Sequence, residues 1–286
     1  MTDITPPENA DQIEFWNGEH GVSWAQYADI VDGMFADITG AILDAAAIST
    51  GDRVLDLGCG NGGTTLAAAD RTAPIGAVTA VDVSTPMIER ARARSAAAGH
   101  LNVTYILGDA AVYPFAPQSF DALISRLGTM FFDDPESAFR NILGGLASGG
   151  RVALGVWREP RENPWAMAPV AAAREFLDMP PRPGPEEPGP FSFADPGRVT
   201  KVLGAAGLQD IALSPLDFQL PLGGSLDEAL RFAMEMGPLS APFSTVTGDN
   251  RRRAIDAITG VLQENQDDDG AVRLGGACWI VTGRAP

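Results

Sequence analysis

The sequence of 286 residues has little lysine, cysteine or histidine. Lys201 is its only lysine, and 20 basic residues face 37 acidic ones, giving a net charge of −17. Because so acidic a surface repels polyanions, the composition argues against a nucleic-acid-binding protein. The two cysteines, Cys59 and Cys278, lie far apart, and the two histidines form no metal-binding motif. We therefore expect neither a disulfide framework nor a metal site.

Long apolar runs are also missing. No stretch without Asp, Glu, Lys or Arg exceeds 14 residues, whereas a membrane-spanning helix needs about 20 apolar residues. The first 14 residues are polar and acidic, unlike the basic and apolar start of a signal peptide. We therefore expect no membrane span and a cytoplasmic location.

Short apolar strands alternate with helical segments in the first half of the chain. The predicted strands cover residues 53–57, 77–81, 103–107, 120–125 and 152–157. Strands and helices that alternate in this way are typical of parallel βαβ units. We expect an α/β fold, a Rossmann-like, doubly wound and mostly parallel sheet of seven strands with an added helical cap.

The same pattern divides the chain into four segments. They are an N-terminal helical cap (1–50, with one or two amphipathic helices over 22–48), a ligand-binding core (51–157), a proline-rich insertion or lid (158–195), and a completion of the sheet (196–286) with a helical insertion at about 221–270.

A glycine-rich turn follows the first predicted strand. Gly58, Gly60 and Gly63 have the GxGxxG spacing, which lets the backbone turn tightly against a ligand at the start of a helix. Glycines alone also mark ordinary turns. Asp82 ends the next strand, where a carboxylate can accept the hydroxyl hydrogens of a ribose, and Asp109 follows the third strand, where it can meet an adenine amino group.

Two classes of ligand fit this arrangement. A nicotinamide or flavin dinucleotide brings an anionic pyrophosphate to the loop, whereas S-adenosylmethionine brings a sulfonium and an ammonium group. Asp56, two residues before Gly58, repels the first and attracts the second. The residues therefore favour S-adenosylmethionine, with an NAD(P)-dependent oxidoreductase or a non-catalytic S-adenosylmethionine-binding protein as alternatives.

Three motifs in order, VLDLGCGNG from Val54, VDVS from Val81 and GDA from Gly108, resemble those of class I S-adenosylmethionine-dependent methyltransferases. In style the match is similar to the ubiquinone and menaquinone biosynthesis branch. The resemblance implies that the donor is bound at these motifs and leaves as S-adenosyl-L-homocysteine. The residues expected to bind it are Asp56, Gly58, Cys59, Gly60, Asp82, Val83, Met87, Gly108, Asp109, Ala110 and Ser125.

Aromatic and apolar side chains are expected to form the acceptor site. The residues predicted to bind substrate are Trp16, Trp24, Tyr27, Arg126, Met130, Phe131, Trp157 and Trp165, with Phe132, Phe191 and Phe193 as further wall candidates. Each is singly more typical of a core residue, but together they favour a pocket for an apolar or aromatic small molecule. His20 is the candidate catalytic base. We expect metal-free O-, C- or N-methylation by in-line transfer, with a homodimer left as a hypothesis.

Overall fold

The computed structural model describes residues 9–181, 183–184 and 186–286. The first eight residues of the predicted cap, and positions 182 and 185 of the predicted lid, lie outside the described residues. In the described parts of the chain, no helix combines the length and the hydrophobicity that crossing a membrane requires.

A single sheet of seven strands forms the centre of the molecule. Its strands are β1 (Arg53–Leu57), β2 (Ala77–Asp82), β3 (Val103–Leu107), β4 (Phe120–Arg126), β5 (Leu146–Trp157), β6 (Gln209–Gly223) and β7 (Val272–Arg284). Their order is β3-β2-β1-β4-β5-β7-β6, and only β7 runs antiparallel to its neighbours β5 and β6. The predicted seven-stranded, mostly parallel sheet is confirmed.

Twelve helices surround the sheet in the described residues. They are α1 (Ala10–Asn17), α2 (Glu19–Gln26), α3 (Ala28–Met34), α4 (Ala36–Ala45), α5 (Gly63–Thr72), α6 (Thr85–Ala98), α7 (Pro135–Leu143), α8 (Pro164–Ala173), α9 (Pro196–Ala205), α10 (Leu226–Glu235), α11 (Ser240–Thr245) and α12 (Gly248–Glu264). Several begin as their sequences predict: the Asp134 side chain accepts a hydrogen bond from the Ser137 amide, and Pro135 occupies the first turn of α7.

The sheet order determines where a ligand can bind. β1 pairs with β2 on one side and with β4 on the other, so the connections that leave the carboxyl ends of β1 and β4 run in opposite directions. In doubly wound sheets the crevice at this reversal is the usual ligand site. The strands beside it are buried on both faces, as the apolar sequence of β1 predicts.

The N-terminal segment differs from its prediction. The region 22–48 contains three helices instead of one or two, because the chain turns at Tyr27 and again at the buried Phe35, and α1 precedes them. Gly21 permits the tight contact of α2 with α1: a Cβ atom there would lie 1.9 Å from the carbonyl oxygen of Trp16.

The rest of the chain contains two long strands and a helix within the predicted lid. β6 and β7 pair with each other along almost their whole length. β6 tolerates Pro215 and Pro221 since it is the edge strand. Helix α8 lies inside the segment predicted as a proline-rich lid, with Pro164 in its first turn and Pro169 in its interior, where sequence rules expect a helix to end.

Candidate functional site

A cavity of about 1050 Å³ opens at the carboxyl ends of β1, β2 and β4. At one end its wall consists of the loops that follow β1, β2 and β3. At the other end it consists of aromatic and apolar side chains from α1, α2, α8 and the helices α10 to α12. We call these two parts the loop end and the aromatic chamber. A pocket for one ligand has about 300 to 1000 Å³, so the cavity has room for two adjacent molecules.

Backbone contact between two glycines forms the floor of the loop end. Gly58 has a φ of +60°, and a Cβ atom there would lie 2.8 Å from the Cα atom of Gly128 in the loop after β4. Leu127, next to it, also has a positive φ of 65°, which is rare for a branched residue. Both loops are therefore held in a conformation that leaves backbone atoms facing the cavity.

Asp82 lies in the loop end with both carboxylate oxygens engaged. Oδ2 accepts a hydrogen bond from the Gly60 amide at 2.7 Å, and Oδ1 accepts one from the Ser84 amide at 2.8 Å. Burial raises the pKa of Asp82, and the backbone donors at Ser84 and Gly60 oppose that shift. The carboxylate thus joins the glycine loop to the loop after β2 and keeps an edge on the cavity wall.

Asp109 lies on the cavity wall beside a residue that sequence reasoning missed. Its Oδ1 accepts a hydrogen bond from the Ala111 amide at 2.9 Å, and its Oδ2 accepts one from Nδ2 of Asn9 at 2.8 Å. Asn9 is itself buried and exchanges two hydrogen bonds with Asp133. The start of the described chain is therefore fastened over the end of β3, through contacts that join residues 100 and 124 positions apart.

Seven further residues predicted for the donor also line the cavity. They are Gly58, Cys59, Gly60, Val83, Met87, Gly108 and Ala110. Burial raises the pKa of the Cys59 thiol well above its ordinary value, so this cysteine stays protonated and unreactive.

Asp56 and Ser125 do not lie on the cavity wall, contrary to the sequence prediction of direct contact. Ser125 is fully buried, and its hydroxyl donates to the Leu57 carbonyl at 2.7 Å, so it joins β4 to β1. Asp56 is fully buried beneath the glycine loop, where Oδ2 accepts a hydrogen bond from the Thr65 hydroxyl at 2.6 Å. Burial raises the pKa of Asp56 to about 7, and Oδ1 has no hydrogen-bond partner.

Helix α1 is fastened to the loop between β2 and α6. The Asn17 side chain donates to the Val83 carbonyl at 2.9 Å and accepts from the Thr85 amide at 3.0 Å. The Ser84 hydroxyl, just before α6, makes no capping hydrogen bond to that helix and donates to the Trp16 carbonyl at 2.7 Å. These bonds bring the Trp16 side chain from the N-terminal segment to the cavity.

The aromatic chamber contains most of the predicted acceptor residues. Those on its wall are Trp16, Trp24, Arg126, Met130, Phe131, Phe132, Trp157 and Trp165. The rings pack mostly edge to face, for example Trp16 on Phe131 with centroids 5.4 Å apart. Because these rings hold each other, the chamber is a rigid and largely apolar enclosure.

Three predicted wall residues lie elsewhere. Tyr27 is outside the wall, and its hydroxyl donates to the Glu235 carboxylate of α10, which links the N-terminal segment to the C-terminal helices. Phe193 is a core residue stacked on Phe139, and Phe191 packs beside the same core. The positions of these two phenylalanines follow from the packing of α7 and α9 against the sheet.

The surroundings of His20 contradict its predicted role as a general base. Its Nε2 atom accepts a hydrogen bond from Nε1 of Trp24 at 3.0 Å, so the lone pair that would take a proton is occupied. Burial lowers the pKa of His20 to about 4, and the rings of Phe15 and Trp16 flank it. At neutral pH it is an uncharged wall residue with little capacity to bind a proton.

Arg126 lies on the cavity wall and pairs with an aspartate of α3. Its Nη2 lies 2.9 Å from Asp32 and its Nη1 donates to Thr39. Asp32 also pairs with Arg94, which donates to the Asn61 carbonyl of the glycine loop. This charge network joins α3 to the loop end.

Sequence reasoning also missed the contribution of the C-terminal helices to the chamber. Met234, Met236, Phe243 and Arg251 reach its wall from α10, the following turn, α11 and α12. The only signal was the amphipathic pattern of the helices, which does not reveal the face they cover.

In the described ranges, no group of three or more His, Cys, Asp or Glu side chains is arranged to hold a metal ion.

Comparison with known proteins identifies the central part of this fold. Residues 54–150 match a family model described as "Methyltransferase domain". The matched region contains β1 to β4, most of the helices between them and the loop end of the cavity.

Two bacterial relatives carry this similarity further. Nocamycin O-methyltransferase of Saccharothrix syringae is 28% identical over 65% of this chain and 69% of its own length. Aklanonic acid methyltransferase DauC of Streptomyces sp. is 31% identical over 49% of this chain, which spans 58% of that relative's length.

A solved structure shows the same fold over nearly the whole chain. Phosphoethanolamine N-methyltransferase 2 of Haemonchus contortus, in complex with phosphomonomethylethanolamine and S-adenosylhomocysteine, has a TM-score of 0.59 at 19% identity. The alignment covers 98% of this chain and 60% of that one.

Residues 54–150 are therefore similar to a methyltransferase domain, and the sheet has the fold of the solved methyltransferase structure, in agreement with the three motifs. The family match and both relatives favour a methyltransferase over the NAD(P)-dependent alternative. Assignment to the ubiquinone and menaquinone branch stays a prediction.

Proposed function

We propose that the chain transfers a methyl group from S-adenosylmethionine to a planar, apolar or aromatic small molecule held in the aromatic chamber. The observation that carries this proposal is the single cavity in which the loop end and the aromatic chamber are continuous. Two ligands in one enclosure can meet with their reacting atoms aligned, which is the main requirement of an in-line methyl transfer.

The residues of the loop end fit the donor by their chemistry. Asp82 offers an immobilised carboxylate for the ribose hydroxyls, and Asp109 is positioned to accept from the adenine amino group. The buried Asp56 has an unpartnered oxygen beneath the glycine loop, so ionising it is favoured when a cation arrives nearby. When bound there, the donor supplies an electrophilic methyl group.

The chain's own contribution to the reaction is then enclosure and alignment. Trp16, Phe131 and Trp157 exclude water from the chamber and fix the plane of an aromatic acceptor. No general base is assigned, because His20 is uncharged with its Nε2 lone pair engaged. An acceptor whose nucleophilic group is already ionised at neutral pH needs no base.

One of the two relatives supports an oxygen atom as the methylated position, because it is named as a nocamycin O-methyltransferase. The other is named as an aklanonic acid methyltransferase, without the methylated atom. Methylation of carbon or nitrogen stays open for this chain. The proposal is compatible with a monomer and with a homodimer. It also agrees with the expectation that nucleic acid is not a substrate.

Calorimetry with S-adenosylhomocysteine tests the donor half of the proposal. We expect micromolar or tighter binding with one ligand per chain, and no competition by NAD⁺ at millimolar concentration. A screen of aromatic hydroxyl and carboxyl compounds for S-adenosylhomocysteine release then tests transfer. Donor binding without turnover of any acceptor in a broad screen would favour the non-catalytic alternative, whereas absence of donor binding would refute the assignment.

A further inference from the structure

The charges on the cavity wall are distributed unevenly. Asp82 and Asp109 belong to the loop end, and three more acids reach the wall: Glu14, Glu19 and Glu235. These three are exposed, so water and salt screen their fields. The only two cations on the wall formed by the described residues are Arg126 and Arg251, and both are half-buried.

The two arginines differ in their partners. Arg126 is neutralised by Asp32 at 2.9 Å and donates a further hydrogen bond to Thr39. Arg251 has no Asp or Glu oxygen within 4.0 Å among the residues that the structure describes, although acids outnumber bases 37 to 20 in the sequence. An unbalanced, half-buried guanidinium loses solvation without gaining an ion pair, so an anionic ligand would stabilise it.

The position of Arg251 is fixed by contacts that leave one edge of the guanidinium open. Its Nη1 atom donates to the Phe243 carbonyl at 2.8 Å, and its Cζ atom lies 5.4 Å from the centroid of the Phe243 ring. No other hydrogen bond involves its side chain in the described residues, so Nε and Nη2 are free. Those two N–H groups are parallel and match the two oxygens of a carboxylate.

We propose that Arg251 binds an ionised carboxylate of the acceptor, so that the substrate class is an apolar or aromatic carboxylic acid. This inference rests on the proposed function, because it locates the acceptor in the aromatic chamber. The rings of the chamber then bind the apolar skeleton, and Arg251 on α12 fixes its orientation relative to the donor. The C-terminal helices would thus supply specificity, while the sheet supplies the donor site.

A matched pair of probes tests the proposal by binding alone. Anthracene-2-carboxylate and anthracene-2-carboxamide have the same ring system and differ in charge. Both are titrated by calorimetry into the full chain saturated with S-adenosylhomocysteine, and quenching of the chamber tryptophans gives a second readout. We expect the carboxylate to bind roughly 10- to 100-fold more tightly, the scale of charge-assisted hydrogen bonds to an arginine.

The variant Arg251→Gln keeps a polar side chain of similar length and removes the charge. It should reduce the preference for the carboxylate to less than about threefold and leave carboxamide affinity nearly unchanged. Arg252→Gln is the matched control, because Arg252 is exposed and pairs with Asp249. Arg251→Lys keeps the charge without the paired donors and should retain an intermediate preference.

The outcomes separate this inference from the proposed function. Equal affinity of the two probes, or a preference that survives in Arg251→Gln, would overturn the carboxylate site while leaving donor binding intact. Failure of both probes to bind also refutes the site as stated. Should S-adenosylhomocysteine itself not bind, the proposed function fails first, and the probe titration is then run on the ligand-free chain. A thermal unfolding curve for each variant verifies that it is folded.

Discussion

The loop end and the aromatic chamber of the cavity are built in different ways. The loop end comes mainly from the residues between β1 and the loop after β3, and Gly128 in the loop after β4 completes its floor. The chamber is assembled from α1, α2, α8, α10 to α12, the loop after β4 and the end of β5. Local sequence therefore determines the first, and long-range packing determines the second.

The two parts of the cavity are also stabilised by different interactions. In the loop end, buried polar groups are satisfied by backbone amides, as at Asp82, so its geometry is set by directional hydrogen bonds. In the chamber, aromatic rings pack on each other and polar groups are few. A substitution should therefore affect the donor and the acceptor separately, and four variants test whether it does.

The largest effect is expected for Asp82→Ala. It removes the proposed ribose contact and also the bonds to the Gly60 and Ser84 amides. Affinity for S-adenosylhomocysteine, measured by calorimetry, should fall by about 1.5 to 3 kcal/mol, the value of a lost charge-assisted hydrogen bond. The control Asp178→Ala, at an exposed position, should bind normally. Unchanged affinity in Asp82→Ala would remove the basis for the donor site.

A smaller effect is expected for Gly58→Ala, with two other glycines as a graded comparison. All three glycines have positive φ, but a Cβ atom at Gly58 meets Gly128 at 2.8 Å, one at Gly60 meets Met87 at 3.6 Å, and one at Gly99 meets nothing within 4 Å. Backbone strain alone costs about 1 to 2 kcal/mol. In urea unfolding, the free energy of unfolding of Gly58→Ala should therefore be lower than that of Gly60→Ala and that of Gly99→Ala.

The glycine series also separates folding from binding. Gly99→Ala lies at the end of α6, away from the cavity, and should lose stability without losing donor affinity. If Gly58→Ala is no less stable than Gly99→Ala, the close contact between the two loops does not matter for the fold.

The reverse pattern is expected for Trp16→Leu. The change removes a ring that contacts Phe131 and Trp24 but keeps the backbone carbonyl that accepts from Ser84. Affinity for S-adenosylhomocysteine should stay within about threefold, while affinity for anthracene-2-carboxamide should fall by roughly tenfold, as expected for the loss of one aromatic contact. Loss of donor affinity as large as in Asp82→Ala would show that the two halves are not separable.

The smallest effect on catalysis is expected for His20→Gln. The pKa of His20 is about 4 in the folded chain and near 6.5 in the unfolded one. In the folded chain the residue is therefore neutral between pH 6 and 8. The dependence of turnover on pH between 6 and 8 should be the same in the variant. Loss of one limb of the profile would restore the general-base hypothesis.

The lowered pKa of His20 also predicts how the stability of the fold depends on pH. Between pH 6.5 and 4 the unfolded chain binds a proton at His20 more readily than the folded chain, so the free energy of unfolding falls as the pH falls through this range. The raised pKa of Asp56 acts in the opposite direction, since the folded chain then binds the proton more readily. The difference between wild type and His20→Gln in urea unfolding at pH 7.5 and 5 isolates the histidine, and the wild type should lose more.

The strengths and errors of the sequence predictions follow the same division. Asp82 and Asp109 could be located at the cavity because each lies at or just after the end of an apolar strand, and the ends of adjacent parallel strands must lie side by side. Residues of the N-terminal segment were predicted for the acceptor site, but the bonds of Asn17 and Asn9 that hold this segment over the loop end join residues 66 to 124 positions apart. No local pattern specifies such a pairing.

The sequence by itself determined the sheet and the glycine loop, since strand periodicity and turn geometry act over a few residues. Only the tertiary structure decided the environment of each charged or polar side chain. It buried Asp56 beneath the loop, occupied the lone pair of His20 with an indole N–H, and paired Arg126 with Asp32 while leaving Arg251 without a carboxylate. The physical reason is that desolvation and ion pairing depend on every group packed around a side chain, and those groups come from distant parts of the chain.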